Sequence, residues 1–292
     1  MSSEATRYGI LVGIDGSKES DAAVRWAGEE ARLTGSPITL MHGVPPSFAT
    51  VPNVPVKALV TEWERENASA VIERARHILN SSVPSESLDV RREVHYWGVL
   101  PTLIDASKEA RMVVVGSRGA GAFGRMVMGS VSSGLVRHGH GPVTVVHARD
   151  RELPVDGPVV VGIDGSPASE AATALAFEEA DRRKVGLVAV HAWRDTGALL
   201  ALGIDWPAYE QIGAEVLAER LSGWQERYPG VSVRRRLESG TPARWLFEES
   251  KHAQLVVVGS HGRGGFAGML LGSVSSAVAQ SVHIPVIVVR PR

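Results

Sequence analysis

The chain has 292 residues, of which 44% are hydrophobic and 22% charged, and its formal net charge is −1. This length suits two domains of average size, each able to bury a core. The near balance of charge argues against broad binding to nucleic acids or membrane surfaces, and the absence of cysteine excludes disulfide frameworks and thiolate metal sites.

The N-terminal segment lacks the basic stretch and apolar core of a signal peptide. No apolar run reaches the roughly 18–20 residues that a membrane-spanning helix needs. We therefore predict a cytoplasmic protein with neither a membrane nor a nucleic acid as its partner.

The first 150 residues alternate between predicted strands and predicted helices. The predicted strands are Tyr8–Ile14, Ile38–Val44, Leu88–Val94, Met112–Val115 and Val143–Val146. The predicted helices are Lys18–Thr34, Val56–Asn80, Pro101–Ala110 and Ser130–His138, and Pro45–Pro55 is a proline-rich loop. Strands separated by crossover helices predict a parallel sheet that is covered on both faces.

The second half repeats the first. The segment LVGIDGS at Leu11 returns as VVGIDGS at Val160, and residues 113–147 share 19 of 35 positions with residues 256–290. An identity of this kind indicates a duplication. A polar linker rich in proline and glycine, Arg149–Pro158, separates the copies, so we predict domains over residues 1–150 and 151–292.

A glycine-rich loop follows the fourth strand of each half with the spacing G-x2-G-x9-G-S. The motif positions are Gly116, Gly119, Gly129 and Ser130 in the first half, and Gly259, Gly262, Gly272 and Ser273 in the second. A glycine loop between a strand and a helix can direct several backbone N–H groups at one anion. Each loop is therefore predicted to hold the phosphates of a nucleotide.

An aspartate closes the first strand of each half, at Asp15 and Asp164. Ligands of open parallel sheets bind at the carboxyl ends of the strands, where this aspartate and the glycine loop would share one cleft. The carboxylate could accept hydrogen bonds from ribose hydroxyls or from an adenine amino group, or it could cap the following helix. Arg118 and Arg263 are candidate phosphate contacts. Because Arg118 aligns with His261, the two clefts are expected to differ in affinity.

These motifs resemble those of the ATP-binding branch of the universal stress protein family, and the resemblance covers essentially the whole chain as two tandem domains. It implies two flavodoxin- or Rossmann-like domains of the HUP type, each an open five-stranded parallel sheet of order 3-2-1-4-5 with helices on both faces. It also implies one ATP per domain, with or without Mg²⁺, and an adenine contact at Val44 and at Ala192 or Trp193. Similar tandem proteins occur in actinobacteria, including mycobacteria, and serve stress or dormancy responses.

The residues predicted to contact nucleotide follow from the motifs and the resemblance together. In the first half they are Gly13, Asp15, Val44, Gly116, Ser117, Arg118, Gly119, Ala120, Gly121, Ala122, Gly129, Ser130 and Val131. In the second half they are Gly162, Asp164, Ala192, Trp193, Gly259, Ser260, His261, Gly262, Arg263, Gly264, Gly265, Gly272, Ser273, Val274 and Ser275. No catalytic residue and no metal ligand is predicted, and His42 and His191 are expected to be hydrogen-bonded structural histidines.

Four function classes use clefts of this kind. A nucleotide-binding regulatory module is favoured over a slow ATPase, because the G-x4-G-K-[ST] phosphate loop is missing and no carboxylate is obviously placed to activate water. A dinucleotide oxidoreductase is disfavoured because the turn after the first strand reads GIDGS, not G-x-G-x-x-G. An adenylating enzyme is disfavoured because the SGGxDS signature is missing after that strand.

The fifth strand of each half should form an apolar sheet edge, at residues 142–146 and 285–289. Exposed edges of this kind tend to be paired or covered. We therefore expect domain–domain contacts, and further contacts in a homodimer, to form through these edges.

Overall fold

The computed structural model describes residues 6–44, 61–82, 88–96, 98–119, 128–148, 154, 156–193, 206–263 and 270–291. The chain divides into two compact units between Asp150 and Arg151. The predicted loop Pro45–Pro55 and the start of the predicted helix at Val56 lie outside the described residues.

The described residues of the first unit form five strands and four α-helices. They are β1 Gly9–Ile14, α1 Lys18–Thr34, β2 Ile38–Gly43, α2 Glu62–Ser82, β3 Val90–His95, α3 Val99–Ala106, β4 Ala110–Gly116, α4 Ser130–His138 and β5 Pro142–Val146. The strands pair in parallel in the order β3-β2-β1-β4-β5, and helices cover both faces. The predicted sheet order is confirmed.

The second unit has the same architecture. Its elements are β6 Val159–Gly162, α5 Pro167–Arg183, β7 Leu187–Trp193, α6 Trp206–Arg227, β8 Val233–Ser239, α7 Pro242–Ser250, β9 Leu255–Gly259, α8 Ser273–Ser281 and β10 Val286–Val289. The parallel order β8-β7-β6-β9-β10 is again 3-2-1-4-5 when the strands are numbered within the unit.

The central strands are apolar on both faces because helices pack on both sides of the sheet. Ile10, Leu11, Val12, Val113 and Val114 are fully buried. The same holds for the central strands β6 and β9 of the second unit, which read VVVG and LVVVG. The two central strands of each unit therefore form a rigid platform that ends at the predicted cleft.

Helix α1 begins and ends where its sequence predicts. The Ser17 hydroxyl caps it by accepting a hydrogen bond from the N–H of Ser20 at 3.1 Å, and Gly35 ends it in the left-handed region at φ 64°. Ser166 caps α5 in the same way, through the N–H of Ser169 at 3.2 Å. These caps fix the direction in which the chain leaves β1 and β6.

The helix predicted from Pro101 begins two residues earlier, at Val99, and ends at Ala106 in a short 3₁₀ turn, Ser107–Glu109. Proline is tolerated throughout the first turn, because the N–H groups of that turn have no intrahelical partner in any case. Among the described residues, no helix is long and apolar enough to cross a membrane.

Candidate functional site

Each unit carries a cleft at the carboxyl ends of its two central strands. In the first unit the cleft lies where β1 and β4 end, and its cavity measures about 110 Å³. In the second unit it lies where β6 and β9 end, and its cavity measures about 330 Å³. The parallel pairing of β1 with β4 and of β6 with β9 brings the aspartate and the glycine loop of each half together at these ends.

The aspartate of each cleft uses one carboxylate oxygen to form a turn. Oδ1 of Asp15 accepts the N–H of Ser17 at 3.0 Å, and Oδ1 of Asp164 accepts the N–H of Ser166 at 2.9 Å. The second oxygen, Oδ2, lies beside the glycine loop. The helix cap itself is the serine, so the aspartate supports the turn and still presents one oxygen to the cleft.

The glycine loops are closed by the same hydrogen bonds in both units. The carbonyl oxygen of Ser117 accepts the N–H of Gly129 at 2.8 Å and the buried hydroxyl of Ser132 at 2.9 Å. Ser260 does the same for Gly272 at 2.7 Å and Ser275 at 2.9 Å. The start of each loop is thereby held against the start of the helix that follows.

The helices that follow the loops begin without a side-chain cap, because their cap residues are Gly129 and Gly272. Their first-turn residues, Ser130 with Val131 and Ser273 with Val274, line the cavities. A helix N-terminus with unused N–H groups carries a partial positive charge and favours an anion. The main chain at each helix start could therefore accept an anion.

The first two glycines of the motif have different neighbours. A Cβ atom on Gly116 would stand 2.7 Å from the main-chain carbon of Glu19, whereas a Cβ on Gly119 would stand 2.6 Å from Oδ2 of Asp15. In the second unit Gly259 abuts the main chain of Ala168, and Gly262 abuts Oδ2 of Asp164. The sequence assigned both glycines to ligand approach. The structure adds that the first of them allows close packing of strand end and helix.

An apolar wall that the sequence interpretation missed closes one side of each cleft. It consists of Val99 and Leu103 in the first unit, and of Pro242 and Leu246 in the second. Both pairs lie four residues apart in the first turns of α3 and α7, so their i, i+4 spacing in both repeats was the available signal. Such a wall suits the face of an aromatic ring.

The two walls differ at their first residue. A Cβ on Gly43 would clash with the side chain of Val99, which therefore lies directly over the end of β2. In the second unit Pro242 replaces Val99, and the cavity extends to Val190 and Ala192 on β7. This exchange is one of the differences that accompany the larger second cavity.

The charged side chains of the clefts also differ. In the first cleft Nη2 of Arg118 pairs with Oε1 of Glu19 at 2.7 Å, and only 14% of the Glu19 side chain is exposed. In the second cleft His261 aligns with Arg118 and places its Nδ1 2.8 Å from Oγ of Ser260, while Arg263 lines the cavity. Oε1 of Glu19 thus neutralises the arginine of the first cleft.

Most predicted contact residues that the structure describes line the two cavities. In the first unit these are Gly13, Asp15, Gly116, Arg118, Gly119, Gly129, Ser130 and Val131. In the second they are Gly162, Asp164, Ala192, Gly259, His261, Gly262, Arg263, Gly272, Ser273, Val274 and Ser275. Besides the walls, the cavities add Ile14, Ser20, Val115, Ser132, Ile163, Ser169, Val190 and Val258.

The other predicted contacts are placed differently. Val44, Ser117 and Ser260 are buried and do not line the cavities. Any contact of the two serines with a nucleotide would therefore be made by their main-chain atoms. The residues Ala120, Gly121, Ala122, Gly264 and Gly265, and the side chain of Trp193, lie outside the described part of the structure.

The histidines of β2 and β7 have equivalent main-chain partners. Nδ1 of His42 lies 2.8 Å from the carbonyl oxygen of Ile14, and Nδ1 of His191 lies 2.6 Å from that of Ile163. Both bonds tie a neighbouring strand to the end of the central strand, as expected for structural histidines. Within the described ranges, no cluster of three or more His, Cys, Asp or Glu side chains could hold a metal ion.

Comparison with known proteins agrees with this architecture. The profile of the universal stress protein family matches residues 9–147 and again residues 157–290. A universal stress protein of Mycolicibacterium smegmatis is 56% identical over the full length of both chains, and one of Mycobacterium tuberculosis is 48% identical over 99% of both. A solved universal stress protein of Archaeoglobus fulgidus has the same fold, with a TM-score of 0.68 and 21% identity over 97% of this chain and 98% of its own.

Proposed function

Because the chain belongs to the universal stress protein family, we propose that each of its domains binds one adenine nucleotide, ATP, as part of a regulatory module in a stress or dormancy response. The observation that carries this proposal is the duplicated cleft. In both units an aspartate oxygen, a glycine main chain and an uncapped helix N-terminus surround one cavity beside an apolar wall.

Each part of the second cleft suits one part of ATP. The wall of Pro242 and Leu246 would pack against the adenine ring, and Oδ2 of Asp164 would accept a ribose hydroxyl. The N–H groups at Ser273 and Val274 would bind the phosphates. A cavity of about 330 Å³ falls within the range of small-molecule sites. Because the described residues offer no metal cluster, Mg²⁺ would be carried mainly by the phosphates of ATP.

The first cleft has the same parts but less room, so we expect it to bind the same nucleotide more weakly. Val99 over Gly43 restricts its adenine end. Exchanging Val99 and Pro242 between the two clefts tests whether Val99 limits the first cavity. Val99→Pro should strengthen binding in the first cleft by roughly 3- to 10-fold, and Pro242→Val should weaken binding in the second by a similar factor.

Isothermal titration calorimetry measures a dissociation constant for each cleft. Each variant should change only one of these two constants. Proline suits the first position of a helix, so the exchange at Val99 is compatible with α3. Unchanged constants in both variants would show that the side chain at this position does not limit the cleft.

We further propose that the module regulates without catalysis. Ser260 and His261 form a hydrogen-bonded pair of the kind that can activate a nucleophile, but Ser260 is fully buried and cannot reach a substrate. The carboxylates that line the cavities, Asp15 and Asp164, use Oδ1 to accept a turn N–H, and Oδ2 is the oxygen that would accept the ribose hydroxyl. Neither arrangement favours attack on the terminal phosphate.

The direct test is to denature freshly purified protein, release its small molecules and identify them by mass. We expect adenine nucleotide at one per chain in the tighter second cleft, rising to two when the protein is first saturated with ATP. A protein that releases no adenine nucleotide and shows no binding by calorimetry would contradict the proposal.

The alternative function is a slow ATPase that uses the same clefts. A measurement of turnover distinguishes it from a regulatory module. A regulatory module should retain intact ATP over hours, whereas an ATPase should release inorganic phosphate with multiple turnovers. Phosphate release that disappears when a cleft-lining glycine is replaced would favour the enzyme.

A further inference from the structure

Two arginines lie over the turn that follows β6. Gly165, the middle residue of this turn, has a left-handed backbone with φ 75°. A Cβ atom built on Gly165 would clash with Nη2 of Arg263, and would stand 2.6 Å from Cζ and 2.7 Å from Nη2 of Arg220. Arg220 comes from α6 and Arg263 from the glycine loop, so two distant segments bring their guanidinium groups to one main-chain position.

Among the described residues, few acidic side chains pair with the two guanidinium groups. Nη1 of Arg220 makes a single contact with Oε1 of Glu170 at 2.5 Å, and 31% of the Arg220 side chain remains exposed. Among the described residues, Arg263 makes no side-chain ion pair, although its N–H donates to Oδ2 of Asp164 at 3.3 Å. Two like charges held side by side repel each other, and an anion between them would relieve that repulsion.

The residues of the first unit that the structure describes contain no such pair. A Cβ on Gly16 would meet only Cγ2 of Val71, at 3.3 Å. Arg74 corresponds to Arg220, but both Nε and Nη2 bind the Asp21 carboxylate, at 3.0 and 2.5 Å, and this interaction raises the pKa of Arg74. The residue that aligns with Arg263 is Ala120. The arginine pair is therefore not one of the features that the two clefts share.

We propose that Arg220 and Arg263 form a subsite for a phosphate group on the ribose of the nucleotide in the second cleft. This inference rests on the proposed function, in which Asp164 receives a ribose hydroxyl. The pair lies on the Asp164 turn, and Arg263 lines the cavity itself. Dinucleotide-binding folds use related chemistry: an acidic residue binds the free ribose hydroxyl of NAD, whereas an arginine accommodates the ribose phosphate of NADP.

Arginine is suited to this role because its planar fork of N–H donors matches the oxygens of phosphate. The ligand class follows from the geometry: an adenosine that carries one phosphate on the 5′ carbon and another on the 2′ or 3′ carbon. The first cleft should not distinguish such a ligand from AMP, since Val71 lies over its turn.

Calorimetry on the full chain tests the subsite with four probes: AMP, ADP, adenosine 3′,5′-bisphosphate and adenosine 2′,5′-bisphosphate. In the unaltered protein, the second cleft should bind at least one bisphosphate about 10-fold or more tightly than AMP, the gain expected of charge-assisted hydrogen bonds. Arg263→Gln and Arg220→Gln should each remove most of that gain, and Arg220→Gln, whose residue does not line the cavity, should leave AMP affinity within about 2-fold.

Arg74→Gln is the matched control, because it removes the equivalent arginine of the first unit and should leave every affinity ratio unchanged. The inference is overturned if Arg263→Gln preserves the preference for the bisphosphate, or if it weakens ADP binding as much as bisphosphate binding. Normal AMP binding without any bisphosphate preference would overturn the subsite alone. Absence of binding at both clefts for all four probes and for ATP would overturn the proposed function as well.

Discussion

Gly262→Val is expected to abolish nucleotide binding in the second cleft and to leave the affinity of the first cleft unchanged. Gly262 lines the cavity, and even a Cβ atom at this position would clash with Oδ2 of Asp164. The two further methyl groups of valine add bulk beside the same carboxylate. We expect affinity at this cleft to fall by about 100-fold or more, a loss of roughly 2.7 kcal/mol.

The measurement is the number of adenine nucleotides per chain, counted by mass after denaturation and by calorimetric stoichiometry. Gly119→Val is the matched variant of the first cleft, since its Cβ would stand 2.6 Å from Oδ2 of Asp15, and the double variant should bind none. Gly223→Ala is the neutral control, because a Cβ there meets no atom within 4 Å. A Gly262→Val protein that still binds two nucleotides would contradict the proposed position of the ligand.

The architecture could be predicted from the sequence because local signals agreed with one another in both halves. Helix α1 has the predicted bounds Lys18–Thr34, since Ser17 is a good cap and Gly35 a good terminator. The predicted loop start at Gly116 matches the end of β4, and the predicted helix start at Ser130 matches the start of α4. Duplication strengthened each of these predictions, because chance signals seldom recur at the same spacing.

The difference between the clefts was harder to predict, because it depends on contacts between distant segments. The alignment of Arg118 with His261 showed that the charges differ, but not that Glu19 pairs with Arg118. The position of Val99 over Gly43 depends on how α3 packs against the sheet. Arg220 comes from α6 and meets the turn after β6 only in the folded domain. Residue type and spacing do not specify such packing.

Gly259→Ala should destabilise the second domain and leave its nucleotide site intact. The new Cβ atom would stand 2.7 Å from the main-chain carbon of Ala168 and 2.8 Å from the N of Ser169, at the start of α5. Main-chain atoms cannot rotate away as a flexible side chain can, so the helix would have to shift. Overpacking of this kind costs about 2 kcal/mol, which lowers the melting temperature of a domain this size by roughly 6 °C.

Thermal unfolding of the full chain, combined with hydrogen–deuterium exchange in peptides of each half, locates the loss of stability. Gly116→Ala is the matched variant of the first domain, where the Cβ would meet the main chain of Glu19 at 2.7 Å. Because the methyl group faces the helix, nucleotide affinity of the folded protein should fall by less than about 3-fold, and excess ATP should restore much of the stability. This pattern is the reverse of that expected for Gly262→Val, in which the fold survives and the ligand is lost. An unchanged melting temperature, or lost binding at normal stability, would show that Gly259 serves the ligand and not the packing of α5 against β9.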